Sequence, residues 1–212
     1  MSTPTNLNYQ YFKVAIIISL AIGLAMLGLS FYIGKDQFFL LLNNDMGLPA
    51  DFFFNYFTYV GDGLLWVVWL IAFLATKRKN LLPLLLSAVA FTTLFTQICK
   101  QVILPYEARP LEAISDQSLV HYVKGVTVHS INSFPSGHTA TAFTFVLLIS
   151  LLVKRKYLMT LSFTAAILVG YSRIYLGQHF PLDVGAGIMV AICSVSLSVL
   201  VQQWFNKRRM IR

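Results

Sequence analysis

Ser172-Arg173-Ile174-Tyr175-Leu176-Gly177-Gln178-His179-Phe180-Pro181-Leu182-Asp183 is a short polar-ended hairpin set between two long apolar runs. It presents a cation, then after five residues an imidazole, then after three more a carboxylate. If the stretch is helical beyond His179, His179 and Asp183 lie four apart on one face. Pro181 between them suits the first turn of a helix, where its missing N–H is not needed. The flanking runs, near Tyr157–Leu176 and Val184–Phe205, are each about the 20 apolar residues that cross a bilayer. The stretch therefore reads as the tight connection between two membrane helices, with its polar groups at the membrane boundary.

Working outward, four more segments fit as spans: near Tyr11–Ile33, Gly63–Thr76, Leu81–Leu104 and His138–Val153. Of 212 residues, 57% are hydrophobic and 11% charged, against about 25% charged in a soluble domain. The expectation is an all-α, six-transmembrane-helix bundle forming a single domain over residues 1–212. Between the first two spans, Lys35–Asp62 carries an amphipathic stretch, Phe38–Leu42, and an aromatic run from Phe52 to Tyr59. It suits a helix lying among headgroups or an extension of the second span. Residues 105–135 read as a polar loop. The N-terminal ten residues hold no cation and the first run lacks a cleavage site, so it is expected to stay as an anchor.

Charge fixes the orientation. Lys77-Arg78-Lys79, Lys154-Arg155-Lys156 and Lys207-Arg208-Arg209 with Arg212 fall on one side, which the positive-inside rule makes cytoplasmic, along with both termini. All eight acidic residues fall on the other. A net charge of +8 distributed in such clusters is a topology signal and not a nucleic-acid surface. Lys35, Lys100, Arg109, Lys124 and Arg173 remain on the outer side, where topology does not call for them.

Three outer segments then share one face: Lys100 to Pro110, Phe134-Pro135-Ser136-Gly137-His138, and the opening stretch. Phosphate-ester cleavage needs fixed positive charge around the transferring group. Lys100, Arg109 and Arg173 supply it, the arginines with planar bidentate donors. Ser136, Gly137 and the helix start after them offer backbone N–H groups to an anion. His179, oriented by Asp183 as in a Ser-His-Asp triad, is the candidate nucleophile. His138 is the candidate acid, protonating the leaving group and later taking a proton from water. Cations near His138 oppose its protonation, so the bound phosphate itself must hold it charged.

These segments resemble the type 2 phosphatidic acid phosphatase (PAP2) family, whose fold is shared with vanadium haloperoxidases and glucose-6-phosphatase. The match covers Pro135-Ser136-Gly137-His138 and the Arg173, His179, Asp183 spacing, within Lys100–Asp183. The resemblance implies a PAP2/haloperoxidase-like core, His179 as nucleophile of a phosphohistidine intermediate, His138 as acid, and Asp183 as partner of His179. It also implies phosphate contacts from Arg109, Ser136, Gly137 and Arg173. The family's first motif commonly places six residues between its Lys and Arg-Pro; here eight separate Lys100 from Arg109, and on a regular helix two extra residues turn Lys100 by about 200°. For a bacterial chain the resemblance suggests the inner membrane and, as substrate, undecaprenyl diphosphate, phosphatidylglycerol phosphate, phosphatidic acid or lipid A.

Bland readings compete for other residues. Cys99 and Cys193 read as small buried hydrophobes, His121 and His129 as solvated or hydrogen-bonded, and Gly185 and Gly187 as helix-packing positions. His138, His179 and Asp183 could ligate zinc, but surrounding arginines oppose a cation, so no metal or other cofactor is expected. The partners expected are a lipid phosphate substrate and membrane lipids. The alternative to an enzyme is a phosphate-lipid transporter or scramblase retaining the fold; an intact His-Asp pair with a second histidine favours the enzyme.

Overall fold

The computed structural model describes residues 7–75 and 78–211. The start of the N-terminal segment, Thr76 at the end of the second expected span, and Lys77 and Arg212 of the basic clusters lie outside the described residues. The chain forms α1 (Tyr9–Ile33), α2 (Lys35–Leu42), α3 (Leu48–Phe57), a 3-10 turn (Thr58–Gly61), α4 (Leu64–Leu74) and α5 (Leu82–Ile98). There follow a π-helical turn (Cys99–Ile103), α6 (Pro110–Ala113), α7 (Gly137–Leu152), α8 (Lys156–Tyr175) and α9 (Pro181–Ile211). No strand occurs among the described residues.

α7 is the axis. Twelve of its sixteen residues are buried, and it packs against α1, α5, α8 and α9. Thr144 within it returns its hydroxyl to the Ala140 carbonyl at 2.7 Å and meets Thr92 of α5 at 3.1 Å, so buried hydroxyls stay satisfied in the apolar interior. Gly187 lets α9 lie against the start of α7. A Cβ there would stand 2.6 Å from the Ser136 carbonyl oxygen, and one at Gly185 would press on the α1 backbone at Gly23. Both glycines thus serve close helix packing, as their sequence context suggests.

Four helical segments are long and apolar enough to cross a membrane: Tyr9–Ile33, Lys79–Ile103, Lys156–Tyr175 and Pro181–Arg209. The other two expected spans are shorter. α7 has 16 residues and α4 has 11, or about 24 and 16 Å of rise against a hydrocarbon core of about 30 Å. α7 is sheathed by other helices, so its length is not set by lipid. The segment before α4 does not extend it. Asp62 is extended, with φ −72° and ψ 149°, and separates α4 from α2 and α3. Cys193 is exposed and Cys99 half-buried, correcting the reading of both as buried: they lie on apolar helix faces that point away from the protein interior.

The two ends of the bundle differ in charge. At one end the Asn8 N–H donates to the Leu151 carbonyl (2.8 Å), Arg78 to the Leu152 carbonyl (3.1 Å) and Gln202 to the Asn80 carbonyl (3.0 Å). Lys79, Lys154, Arg155 and Lys156 lie at this end. At the other, Lys35 pairs with Glu107 (2.5 Å), and the Ser136 N–H donates to the Asp183 carbonyl (2.9 Å). The acidic residues gather there, with the histidines.

Candidate active site

α8 ends just past Arg173 in a Schellman turn. Gly177, at φ +65°, takes the left-handed conformation that side chains disfavour. Its N–H donates to the Ile174 carbonyl, and the Gln178 N–H to the Arg173 carbonyl (2.9 Å). The His179 N–H reaches that same Arg173 carbonyl at 3.0 Å. The five residues between Arg173 and His179 are thus the length of one closed turn, which folds the histidine back beside the arginine.

α9 starts at Pro181, and Asp183 occupies its third position. Its Oδ2 accepts the Phe180 N–H at 2.9 Å, as the acid of a capping box does. The same oxygen accepts the Ser133 hydroxyl at 2.5 Å and lies 3.3 Å from His179 Nδ1. An ionised carboxylate can only accept, so Nδ1 carries the proton and Nε2 keeps its lone pair. Both side chains are almost wholly buried, at 3% and 2% exposed.

Ser136 caps α7, its hydroxyl oxygen accepting from the Thr139 hydroxyl at 2.9 Å. Gly137 and His138 form the first turn. The Ser136–Asp183 backbone bond fastens this helix start to that of α9. His138 is partly open, 28% exposed, with Nε2 4.0 Å from Asp62 Oδ2.

The cations arrive from three directions. Arg109 donates through Nε to the Ile131 carbonyl (3.0 Å) and through Nη1 to the carbonyl (3.0 Å) and Oε1 (2.9 Å) of Gln178. Arg173 donates through Nη1 to the Thr58 hydroxyl (2.8 Å), while its Nε is buried without a hydrogen-bond partner. Lys100 lies in the π-helical turn, closed by the Leu104 N–H on the Cys99 carbonyl (2.9 Å). Beyond it Tyr106 is left-handed, at φ 63°. The widened turn and this reversal take up the added length before Arg109, so Lys100 still faces the cluster and donates to the Asn132 carbonyl at 2.6 Å.

The sequence-predicted residues therefore come together: Lys100, Arg109, Ser136, Gly137, His138, Arg173, His179 and Asp183 enclose one region. Burial, followed by the charges of Arg109, Arg173, Lys100 and His138, holds His179 well below the ordinary histidine range, so its ring is neutral. Five contributors escaped sequence reasoning. Thr58 supports Arg173, Asp62 faces His138, Ser133 bonds Asp183, and Gln178 holds Arg109. Lys35 stands 4.3 Å over the Phe180 ring beside the Asp183 carboxylate. The unexplained outer position of Lys35 was the one available signal. The others sit in stretches whose roles depend on distant contacts.

A helical bundle with apolar helices of spanning length and a buried His-Asp pair ringed by cations is an integral membrane protein with a site suited to an anion. The chain belongs to the PAP2 superfamily, whose family model matches residues 80–207. It is 29% identical over 166 residues to a lipid A 4'-phosphatase of Bacteroides thetaiotaomicron, covering 73% of this chain and 71% of that protein. A shorter match to an undecaprenyl-diphosphatase of Sulfolobus acidocaldarius is 40% identical over 70 residues, 33% of this chain and about a third (34%) of that protein's length. Among solved structures, Aquifex aeolicus LpxE superposes with a TM-score of 0.65 at 31% identity, covering 76% of this chain and 92% of that one.

Proposed function

We propose that this protein is a membrane lipid phosphatase that hydrolyses a lipid mono- or diphosphate through a phosphohistidine at His179. The observation that carries the reading is the neutral, buried His179, held at Nδ1 by Asp183 and surrounded by Arg109, Arg173 and Lys100. The named activities of the lipid A 4'-phosphatase and undecaprenyl-diphosphatase relatives support it.

His179 Nε2 attacks phosphorus. Arg109, Arg173 and Lys100, with the backbone at Ser136 and Gly137, hold the equatorial oxygens as charge spreads over them. A phosphoryl oxygen seated there gives the buried Arg173 Nε the acceptor it needs. His138 gives its proton to the leaving oxygen, then takes one from the water that attacks the phosphohistidine, releasing inorganic phosphate. Asp62 faces His138 as a counter-charge beside the three cations, alongside the bound phosphate. Asp183 holds the Nδ1 proton throughout. No step needs a metal, and the ring of guanidinium groups disfavours one at this centre.

Six spans, with both termini cytoplasmic and the site on the non-cytoplasmic face of a bacterial inner membrane, fit the segregation of charge. α4 and α7 then span with help from their flanking turns. The test is phosphate release by purified protein from undecaprenyl diphosphate, phosphatidylglycerol phosphate, phosphatidic acid and lipid A. At least one is hydrolysed by the wild type, and His179→Ala lowers that rate by at least about a thousandfold. Wild-type protein inert on all four, or a His179→Ala variant that keeps the rate, defeats the reading and favours a transporter or scramblase.

A further inference from the structure

We propose that Asp45, Asp51 and His121 form a divalent-metal site at the acidic end of the bundle, distinct from the histidine pair assigned to catalysis. Asp45 lies in the link between α2 and α3, Asp51 in the first turn of α3, and His121 in the loop ahead of α7. One ligand atom from each lies within 4.8 Å of the other two.

Two of the three are held in place from behind. The His121 N–H donates to Asn43 Oδ1 at 2.7 Å, and its carbonyl accepts from Asn43 Nδ2 at 3.0 Å. Its ring packs 4.6 Å from that of Tyr175. Asp51 Oδ1 accepts the Tyr175 hydroxyl at 2.6 Å. Metal ligands are commonly oriented by such outer hydrogen bonds.

The decisive feature is the aim of His121. Its Nε2 is sealed from solvent and makes no hydrogen bond, although Asp51 Oδ1 stands only 3.2 Å away. The two atoms are close without pointing at each other. Nitrogen and oxygen bound tetrahedrally to one ion, each about 2.0–2.2 Å from it, are separated by roughly 3.4 Å. The observed spacing is near that value, and the misdirected nitrogen is what convergence on a third atom produces. Asp45 Oδ1 lies 4.0 Å from the other ring nitrogen, Nδ1, and accepts the Gly47 N–H at 2.7 Å; its side chain is 70% exposed and must turn from that bond to join an ion at Nε2. The group borders a cavity of about 790 Å³, with space for water to complete the coordination. Lys124 also lines that cavity and opposes an ion there. One imidazole with two carboxylates suits Zn²⁺ or Mn²⁺.

A metal in this position ties the α2–α3 link to the outer loop. Through Tyr175 it also braces the end of α8, where the turn to His179 begins. Its role is to hold the outer surface together, and it takes no part at phosphorus, so the proposal stands or falls apart from the phosphatase reading.

The test uses full-length protein in detergent, stripped with EDTA and desalted, then titrated with ZnCl₂ and separately with MnCl₂ by calorimetry and thermal unfolding. One ion per chain binds, and saturation raises the midpoint of unfolding by a few degrees, since a ligand of the folded state stabilises it. His121→Gln and Asp45→Asn each weaken binding at least tenfold. Asp45 is exposed, so its variant keeps the fold even if His121→Gln does not. No saturable binding of either ion to the wild type overturns the proposal, because the His121–Asp51 contact then needs no ion. Equal affinity in the wild type and Asp45→Asn overturns it as well.

Discussion

At the residue scale the site turns on which nitrogen of His179 holds the proton. Asp183→Asn keeps the shape of the side chain and removes the charge that fixes this. Steady-state rates should fall about a thousandfold or more with little change in the melting midpoint, in line with the loss when a triad aspartate is replaced by asparagine. The direction of the His179 shift also has a sign. Its protonated form is disfavoured, so the His179 ring stays neutral as pH falls from 8 through the ordinary histidine value of 6.5. Phosphohistidine formation in single turnovers, corrected for titration of the substrate, should therefore show no acid limb near pH 6.5 set by His179 itself. An acid limb there that persists in Asp183→Asn would contradict the assignment. Motif spacing made Arg173, His138, His179 and Asp183 legible in the sequence, because local turns set their geometry. Asp62, Thr58 and Ser133 were not, since only the folding of distant segments brings them near the histidines.

At the scale of elements, hydropathy located every long helix to within a few residues. For the two shorter segments, length alone does not decide between crossing the membrane and packing within the bundle. α7, short for a span as drawn, is the covered axis, and its threonines, its alanines and Ser150 are the trace of that position. A regular helix would turn Lys100 away from Arg109, and the π-helical turn keeps it facing inward. The α7–α9 contact gives a further prediction. Gly187→Ala forces a Cβ to within 2.6 Å of the Ser136 backbone oxygen. The helices must part, at a cost of about 1–3 kcal/mol. Thermal unfolding in detergent should show the loss, and activity should drop with it because Ser136 and Asp183 separate. A neutral Gly187→Ala would mean that α9 slides freely along α7.

For the whole molecule, the separation of basic and acidic ends predicts orientation. In a chain with Cys99 and Cys193 replaced by serine, Ser118→Cys should react with an impermeant maleimide on intact cells. Lys154→Cys should react only after permeabilisation. The reverse pattern would place the histidines in the cytoplasm. Chelation separates two roles for metal: EDTA should leave turnover at low temperature intact, while lowering the melting midpoint if the Asp45–Asp51–His121 site is filled. The turn from Arg173 to Gly177 adds a mechanical consequence. Because the Arg173 carbonyl grips the backbone of both Gln178 and His179, guanidinium and imidazole share one anvil. A ligand of greater bulk at this site must then be accommodated by the opposing jaw, residues 104–132, held to the anvil by Arg109 on Gln178 and by Gln178 on the Thr127 carbonyl.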